Sequence, residues 1–188
     1  MRKIVVFNRM SLDGYFSSEN GDFDWFIADP QVDAAAHEMM KPDTVLFGRV
    51  TFDQFVEVWP ALVNNPHVPE PAKRIARELT SMAKVVFSTT AQAPTWENTA
   101  LYHGNLVDEV SALKHSEGED ITIFGSGTLV RQLAEADLID EYIIGLTPVI
   151  LGGGKYLFDQ HTRRTLELKQ ARHFDSGNVL LHYAVVRT

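Results

Sequence analysis

Cysteine is absent from this chain of 188 residues. That removes disulfides, thiolate metal sites and cysteine nucleophiles together. Positive charge is in deficit as well. The 17 Lys and Arg face 25 Asp and Glu, a formal net charge of −8. Non-specific attraction to nucleic-acid phosphates needs an excess of cations, so a nucleic-acid partner is not expected. Any anionic ligand must be held by a local arrangement, against the field of the whole chain. No apolar run reaches the ~18 residues of a membrane span, and the stretch behind Met1-Arg2-Lys3 is too short for a signal peptide. The expectation is a cytoplasmic protein. His103, His161 and His173 fall singly on predicted loops and strand ends, and no His/Asp spacing suggests a metal. There is no repeat, low-complexity segment or composition shift, so one domain over residues 1–188 is expected.

What is present alternates. Residues 3–7 form a near-continuous apolar run, which fits a strand buried on both faces. Residues 11–22 are rich in Ser, Gly, Asp and Asn and read as loop. Residues 30–40 read as a helix capped by Asp29 with Pro30 in its first turn, and Val32, Ala35, Ala36 and Met39 form its apolar stripe. Strands at 44–47, 84–87, 98–102, 121–124 and 141–151 alternate with helices at 51–58, 71–82, 105–115 and 128–136. Residues 59–71 hold four prolines and read as a long irregular connection. Alternation of this kind predicts an α/β fold with a mostly parallel sheet. Residues 166–174 and 179–186 flank Asp175-Ser176-Gly177-Asn178, the signature of a closing antiparallel hairpin.

Two stretches share a construction. Val45-Leu46-Phe47-Gly48-Arg49-Val50-Thr51-Phe52 is an apolar strand that breaks at a glycine and continues as a helix, and Ile121-Thr122-Ile123-Phe124-Gly125-Ser126-Gly127-Thr128-Leu129 repeats the plan. A glycine at the strand exit lets backbone approach a ligand, and the helix behind it offers unpaired N–H groups at the positive end of its dipole. Two such turns in one small α/β chain point to two linked phosphates, hence a dinucleotide. Arg49 beside one helix start suits bidentate phosphate contact. The alternatives are ordinary tight turns, and an Arg49 paired with Asp53 or Glu57. A Rossmann fingerprint is excluded because Val130 holds the third glycine position and no carboxylate follows at the required distance. Gly152-Gly153-Gly154-Lys155 is not a P-loop, since Val149 replaces its first glycine and Tyr156 its Ser or Thr.

Four ordered segments carry a resemblance. They are Ser11-Leu12-Asp13-Gly14, Phe47-Gly48-Arg49-Val50-Thr51-Phe52, Phe124-Gly125-Ser126-Gly127-Thr128-Leu129, and Leu146-Thr147-Pro148-Val149-Ile150-Leu151-Gly152-Gly153-Gly154. Together the chain resembles the dihydrofolate reductase superfold, and within it the reductase domain of bacterial riboflavin biosynthesis and its stand-alone relatives. In the second glycine turn that family more usually has Gly-Gly. The resemblance implies a mostly parallel mixed sheet flanked by helices, with NADPH as cofactor. Gly48, Arg49 and Thr51 would face Gly125, Ser126, Gly127, Thr128 and Leu129 across the diphosphate. Ser88 and Thr89, in the run Ser88-Thr89-Thr90, would take the 2′-phosphate. Asn8, Ser11 and Leu12 would orient the nicotinamide carboxamide, and Gly14 would let the covering loop turn. It implies a homodimer, by analogy.

The implied activity is hydride transfer from NADPH to a small pterin-, folate- or aminopyrimidine-like heterocycle. Such a reduction also needs a proton. Asp33 is the candidate carboxylate on the helix after the loop, with His37 one turn later; the alternative is that the two form a solvated i, i+4 pair. Asp13 is a second candidate, although Asp before Gly is often turn chemistry. Tyr15, Phe16, Phe23, Trp25 and Phe26 form an aromatic cluster. Phe16, Trp25 and Phe26 in it are candidate walls for a planar substrate, and the alternative is a small core under the loop. Lys155 is a candidate for an anionic substrate group. Two other readings stay open: a nucleotide-binding module of the same fold without catalysis, and a structural dimerisation domain.

Overall fold

The computed structural model describes residues 1–89, 95–158 and 163–187. In chain order the elements are β1 (Ile4–Ser11), β2 (Tyr15–Ser17), α1 (Pro30–Met39), β3 (Pro42–Gly48), α2 (Arg49–Leu62), α3 (Glu70–Ser81), β4 (Ala83–Phe87), β5 (Thr99–Tyr102), α4 (Leu106–His115), β6 (Asp120–Phe124), α5 (Gly127–Glu135), β7 (Glu141–Thr147), β8 (Lys155–Tyr156), β9 (Leu166–His173) and β10 (Val179–Val185).

Eight strands form one sheet in the order β5-β4-β3-β6-β1-β7-β10-β9. Every pair from β5 to β7 is parallel, and β10 pairs antiparallel with both β7 and β9. The predicted mixed sheet with a closing hairpin is therefore the observed one. The apolar runs split by residue parity, as the pleat requires. On β1, Val5 packs with Val32, Ala35 and Ala36 of α1. Ile4 and Val6 turn the other way, toward Val110 of α4 and Val130 and Leu133 of α5. Val45 and Phe47 of β3 meet Phe52 of α2 and Leu79 of α3. Helices α1 to α3 thus cover one face and α4 and α5 the other, which is why the inner strands are apolar at nearly every position.

Local chemistry sets the helix starts. The Asp29 carboxylate accepts from the Gln31 N–H (2.8 Å) and Pro30 occupies the first turn, as the sequence predicts. Asn105 caps α4 through the Val107 and Asp108 N–H groups. Two expectations need correction. The irregular stretch predicted over 59–71 is shorter, because α2 runs through Pro60 to Leu62 and α3 begins at Glu70. Pro60 removes one hydrogen bond from the last turn of α2, and apolar contacts of Phe55, Val56 and Trp59 with the core offset that loss. The strand predicted over 141–151 ends at Thr147, since Pro148 has no N–H for the ladder. A two-stranded sheet of β2 and β8 also stands where loop was expected, each strand too short to show a period.

Candidate functional site

Strands β3 and β6 are parallel neighbours, so their carboxyl ends emerge side by side. Gly48 then caps α2 and Ser126 caps α5. The two turns interlock. A Cβ on Gly48 would collide with Ser126 Oγ, and a Cβ on Gly125 would stand 3.2 Å from Thr51 Oγ1 and Cγ2. Gly125 (φ +63°) and Ser126 (φ +54°) are consecutive left-handed residues, a conformation glycine adopts freely and serine at a cost. Asn8, buried on β1, holds this turn. Its Oδ1 accepts from the Gly125 N–H (2.8 Å), while its buried Nδ2 has no hydrogen-bond partner among the described residues.

A cleft of about 640 Å³ opens over these helix starts. Gly48, Arg49, Val50, Thr51 and Gln54 line it from α2 and its cap, and Ser126, Gly127, Thr128, Leu129 and Arg131 from α5 and its cap. Phe87 closes the β4 end; Phe16, Ser17, Gly21, Phe23, Lys155, Tyr156 and Phe158 close the other. Among the described residues the charged lining residues are Arg49, Arg131 and Lys155, and none is acidic, although the chain as a whole is. Cations beside two helix N-termini make the cleft a place for anions. Arg49 also donates to the Asp53 carboxylate (2.9 Å), the i+4 pairing considered from sequence; both side chains are about half exposed.

The loop after β1 is clasped, and Asp13 is the clasp. Its carboxylate accepts from Ser11 Oγ (2.7 Å) and from the backbone N–H groups of Leu151 (3.1 Å) and Gly152 (2.8 Å). Those bonds, the one from Ser11 first, hold the Asp13 carboxyl below its ordinary value of 3.8. Asp13 therefore ties two loops together as an anion. Leu12, largely exposed, bonds through its N–H to the Val149 carbonyl (2.8 Å). Beyond Gly14, the Tyr15 and Tyr156 rings lie 4.5 Å apart with their hydroxyls bonded at 2.9 Å. Phe16 packs on Gly127, where a Cβ would stand 2.9 Å from its ring. Arg131 donates to the Tyr156 carbonyl (3.1 Å), joining α5 to β8.

The remaining candidates divide. Ser88 and Thr89 lie just past Phe87 at the end of β4, beside the cleft rather than among its lining residues, and the Ser88 N–H bonds to the Tyr102 carbonyl (3.2 Å). Thr90 and His161 lie outside the described residues. Phe16 lines the cleft, whereas Trp25 and Phe26 turn toward Arg9 on the α1 side. The Asp33–His37 pairing does not form: Asp33 pairs with Arg9 (2.5 Å), and His37 with Glu78 of α3. Sequence reasoning missed Arg131, Gln54, Phe87 and Phe158. Of these only Arg131 had a local signal, one helical turn beyond Gly127.

The mixed sheet, with its two glycine turns interlocked beneath a basic cleft, has the dihydrofolate reductase-like fold. Dihydrofolate reductase from Enterococcus faecalis complexed with NADP(H) superposes with a TM-score of 0.66 over 98% of this chain and 97% of its own, at 14% identity. The chain belongs to the RibD C-terminal domain family, matching it over residues 2–181. It is 33% identical to YyaP of Bacillus subtilis (strain 168), an uncharacterised protein, over 97% of this chain and 94% of that one. A Shewanella sp. PV-4 protein assigned to riboflavin biosynthesis matches at 25% identity and TM-score 0.73, covering 98% of this chain and 99% of its own.

Proposed function

We propose that the protein is an NADPH-dependent reductase of a small heterocycle. The interlock of Gly48 with Ser126 carries the reading, because it directs two helix N-termini into one basic cleft, as a diphosphate requires. Membership of the RibD C-terminal domain family supports reductase chemistry. The likeness to a Thermotoga maritima diaminohydroxyphosphoribosylaminopyrimidine deaminase/5-amino-6-(5-phosphoribosylamino)uracil reductase, of which this chain spans 57% at 17% identity, speaks for the fold alone.

In this reading the N–H groups at the starts of α2 and α5, with Thr51, Ser126, Gly127, Thr128 and Leu129, hold the diphosphate. Arg49 takes a phosphate oxygen, exchanging Asp53 for it, and Ser88 and Thr89 face the ribose 2′-phosphate. Asn8 keeps the Gly125 turn in place; Ser11, Leu12 and Gly14 shape the loop over the nicotinamide, and Phe16 shields it from water. The bound dihydronicotinamide supplies a hydride to an electrophilic ring carbon. Asp33 stands on the substrate side with Arg9, and Trp25 and Phe26 enclose that side. Lys155 reaches toward an anionic substrate group. The chain works as a homodimer through its β9 edge.

Calorimetric titration with NADPH and NADH tests the proposal. NADPH is expected to bind about ten-fold or more tightly through its 2′-phosphate, and Arg49→Ala to weaken both nucleotides alike by about ten-fold or more, since a charge-assisted bond to phosphate is worth roughly 1.5–3 kcal/mol. Equal binding of both nucleotides, unchanged in the variant, would refute it. One observation favours a second reading, a nucleotide-binding module without turnover: the carboxylate expected to serve the proton is engaged by Arg9. Nucleotide binding without NADPH oxidation in the presence of dihydrofolate, pterins, flavins and uracil derivatives would select that reading.

A further inference from the structure

Strands β4 and β5 are parallel neighbours that end together, Phe87 beside Tyr102 with their rings 5.7 Å apart. Phe87 lines the cleft, and the residues just past the two ends are Ser88 and His103. The Ser88 N–H bonds to the Tyr102 carbonyl (3.2 Å), and the Ser88 carbonyl is bonded to Nδ1 of the exposed His103 ring. A carbonyl oxygen only accepts, so Nδ1 carries a hydrogen and the tautomer is set. Nε2 of the neutral ring is then a bare lone pair. It becomes a donor only when the ring takes a second proton.

This end of the cleft is short of fixed positive charge. Among the described residues the cationic lining is Arg49, placed above on the diphosphate, with Arg131 and Lys155, which stand at the β8 end. Ser88 and Thr89 carry no charge. A phosphate monoester has its second pKa at about 6 and is close to a dianion above neutrality, which hydroxyls alone leave uncompensated. From β4 the charge nearest in sequence is Lys84, at the far end of the strand and turned onto the end of α3. From α4 the first turn brings Asp108 and Glu109, and Glu109 Oε1 lies 3.1 Å from where a Cβ on Gly104 would stand. Neither carboxylate pairs with the His103 ring among the described residues, so Nε2 is left to a ligand.

We propose that His103 is a specificity-determining residue for the nucleotide and that it ties the choice to pH: the 2′-phosphate is bound with one proton held between its oxygen and Nε2. Above neutrality neither free partner holds that proton, so NADPH takes one up from solvent on binding. NADH has a hydroxyl in that place and takes up none. The NADPH complex thus holds one proton more than its separate parts, and its formation weakens as pH rises. The preference for NADPH is therefore largest in mildly acid solution and declines toward alkaline pH. This inference rests on the reductase reading and on its placing of the 2′-phosphate at the end of β4; what it adds is how that choice is regulated.

Calorimetric titrations in two buffers of different ionisation enthalpy read the proton directly. At about pH 7.5 NADPH is expected to take up between about half a proton and one, and NADH none. The ratio of NADPH to NADH affinity is expected to fall about ten-fold or more from about pH 6.5 to about pH 8.5. His103→Gln puts a neutral side chain in place of the ring; the ratio then drops at the acid end, loses its slope, and NADPH binds without proton uptake. His103→Lys holds a fixed charge and restores the preference with neither the slope nor the proton. The melting temperature of each variant separates these effects from damage to the fold, and the wild-type protons and slope test the proposal without any variant. NADPH binding without proton uptake, a ratio that does not change with pH, or a slope that survives His103→Gln would overturn the proposal and leave the reductase reading standing. Binding of neither nucleotide would remove both.

Discussion

Gly48 is the residue on which most depends, because it has no room for a side chain. A methyl group there would press into Ser126 Oγ, and Ser126 already sits in a left-handed conformation beside Gly125. Gly48→Ala is expected to cost about 1–3 kcal/mol in urea unfolding, the range for overpacking a tight contact, and to weaken NADPH binding at least as much as Arg49→Ala does. Adding Ser126→Gly in the same chain removes both the collision and the strained serine, so stability should return. Persisting instability in the double variant would show that the contact is not the cause. Both glycine turns were legible in the sequence because a strand, a glycine and a helix start are consecutive in the chain. His103 was not. Its meaning lies in the Ser88 carbonyl that fixes its tautomer, brought to it by another strand, and the two are not neighbours in sequence.

At the scale of elements, the join between α3 and β4 holds an uncommon device. Lys84 of β4 is buried and turns its ammonium back on the helix end, donating to the carbonyls of Leu79 and Thr80 (2.9 Å each) and Met82 (2.8 Å), with the Trp96 ring 4.6 Å away. These are the orphan acceptors every helix leaves at its C-terminus. Burial pushes the Lys84 pKa down from 10.5 to about 8. Between those values the unfolded chain still holds a proton that the native protein has released, so this residue's contribution to stability rises with pH across that window and vanishes below it. Urea midpoints from pH 8 to 10.5 should therefore climb in the wild type relative to Lys84→Met; parallel curves would contradict the assignment. Helix α1 could be read in advance because Asp29 and Pro30 mark its start locally. The end of α2 could not, since Pro60 signals a stop that the packing of Phe55, Val56 and Trp59 overrides.

For the molecule as a whole, the sheet ends at β9 in a long edge. All eight residues of β9 are exposed, Leu166 and Leu168 among them, and an edge of that length is a template for further pairing. In the homodimer proposed above, Leu168→Lys is expected to shift sedimentation equilibrium toward the monomer while leaving NADPH affinity within about two-fold, because the cleft lies across the sheet. A wild-type protein that sediments as a monomer at tens of micromolar would refute the assembly. The parallel sheet and its hairpin were foreseeable from alternation alone. Which strands are neighbours was not, because strand order depends on pairings between distant parts of the chain.

That order has a consequence for biosynthesis. Strand β6 lies between β1 and β3, so the middle of the sheet stays open until a segment more than a hundred residues from the first strand has been made. A nascent chain leaving the ribosome can assemble β3, β4 and β5 with their helices, yet it exposes two unpaired strand borders until β6 arrives. The cleft proposed to hold the nucleotide is thus completed by the very insertion that seals the sheet. A chain that ends just short of residue 120 would leave both borders open to pairing with other chains.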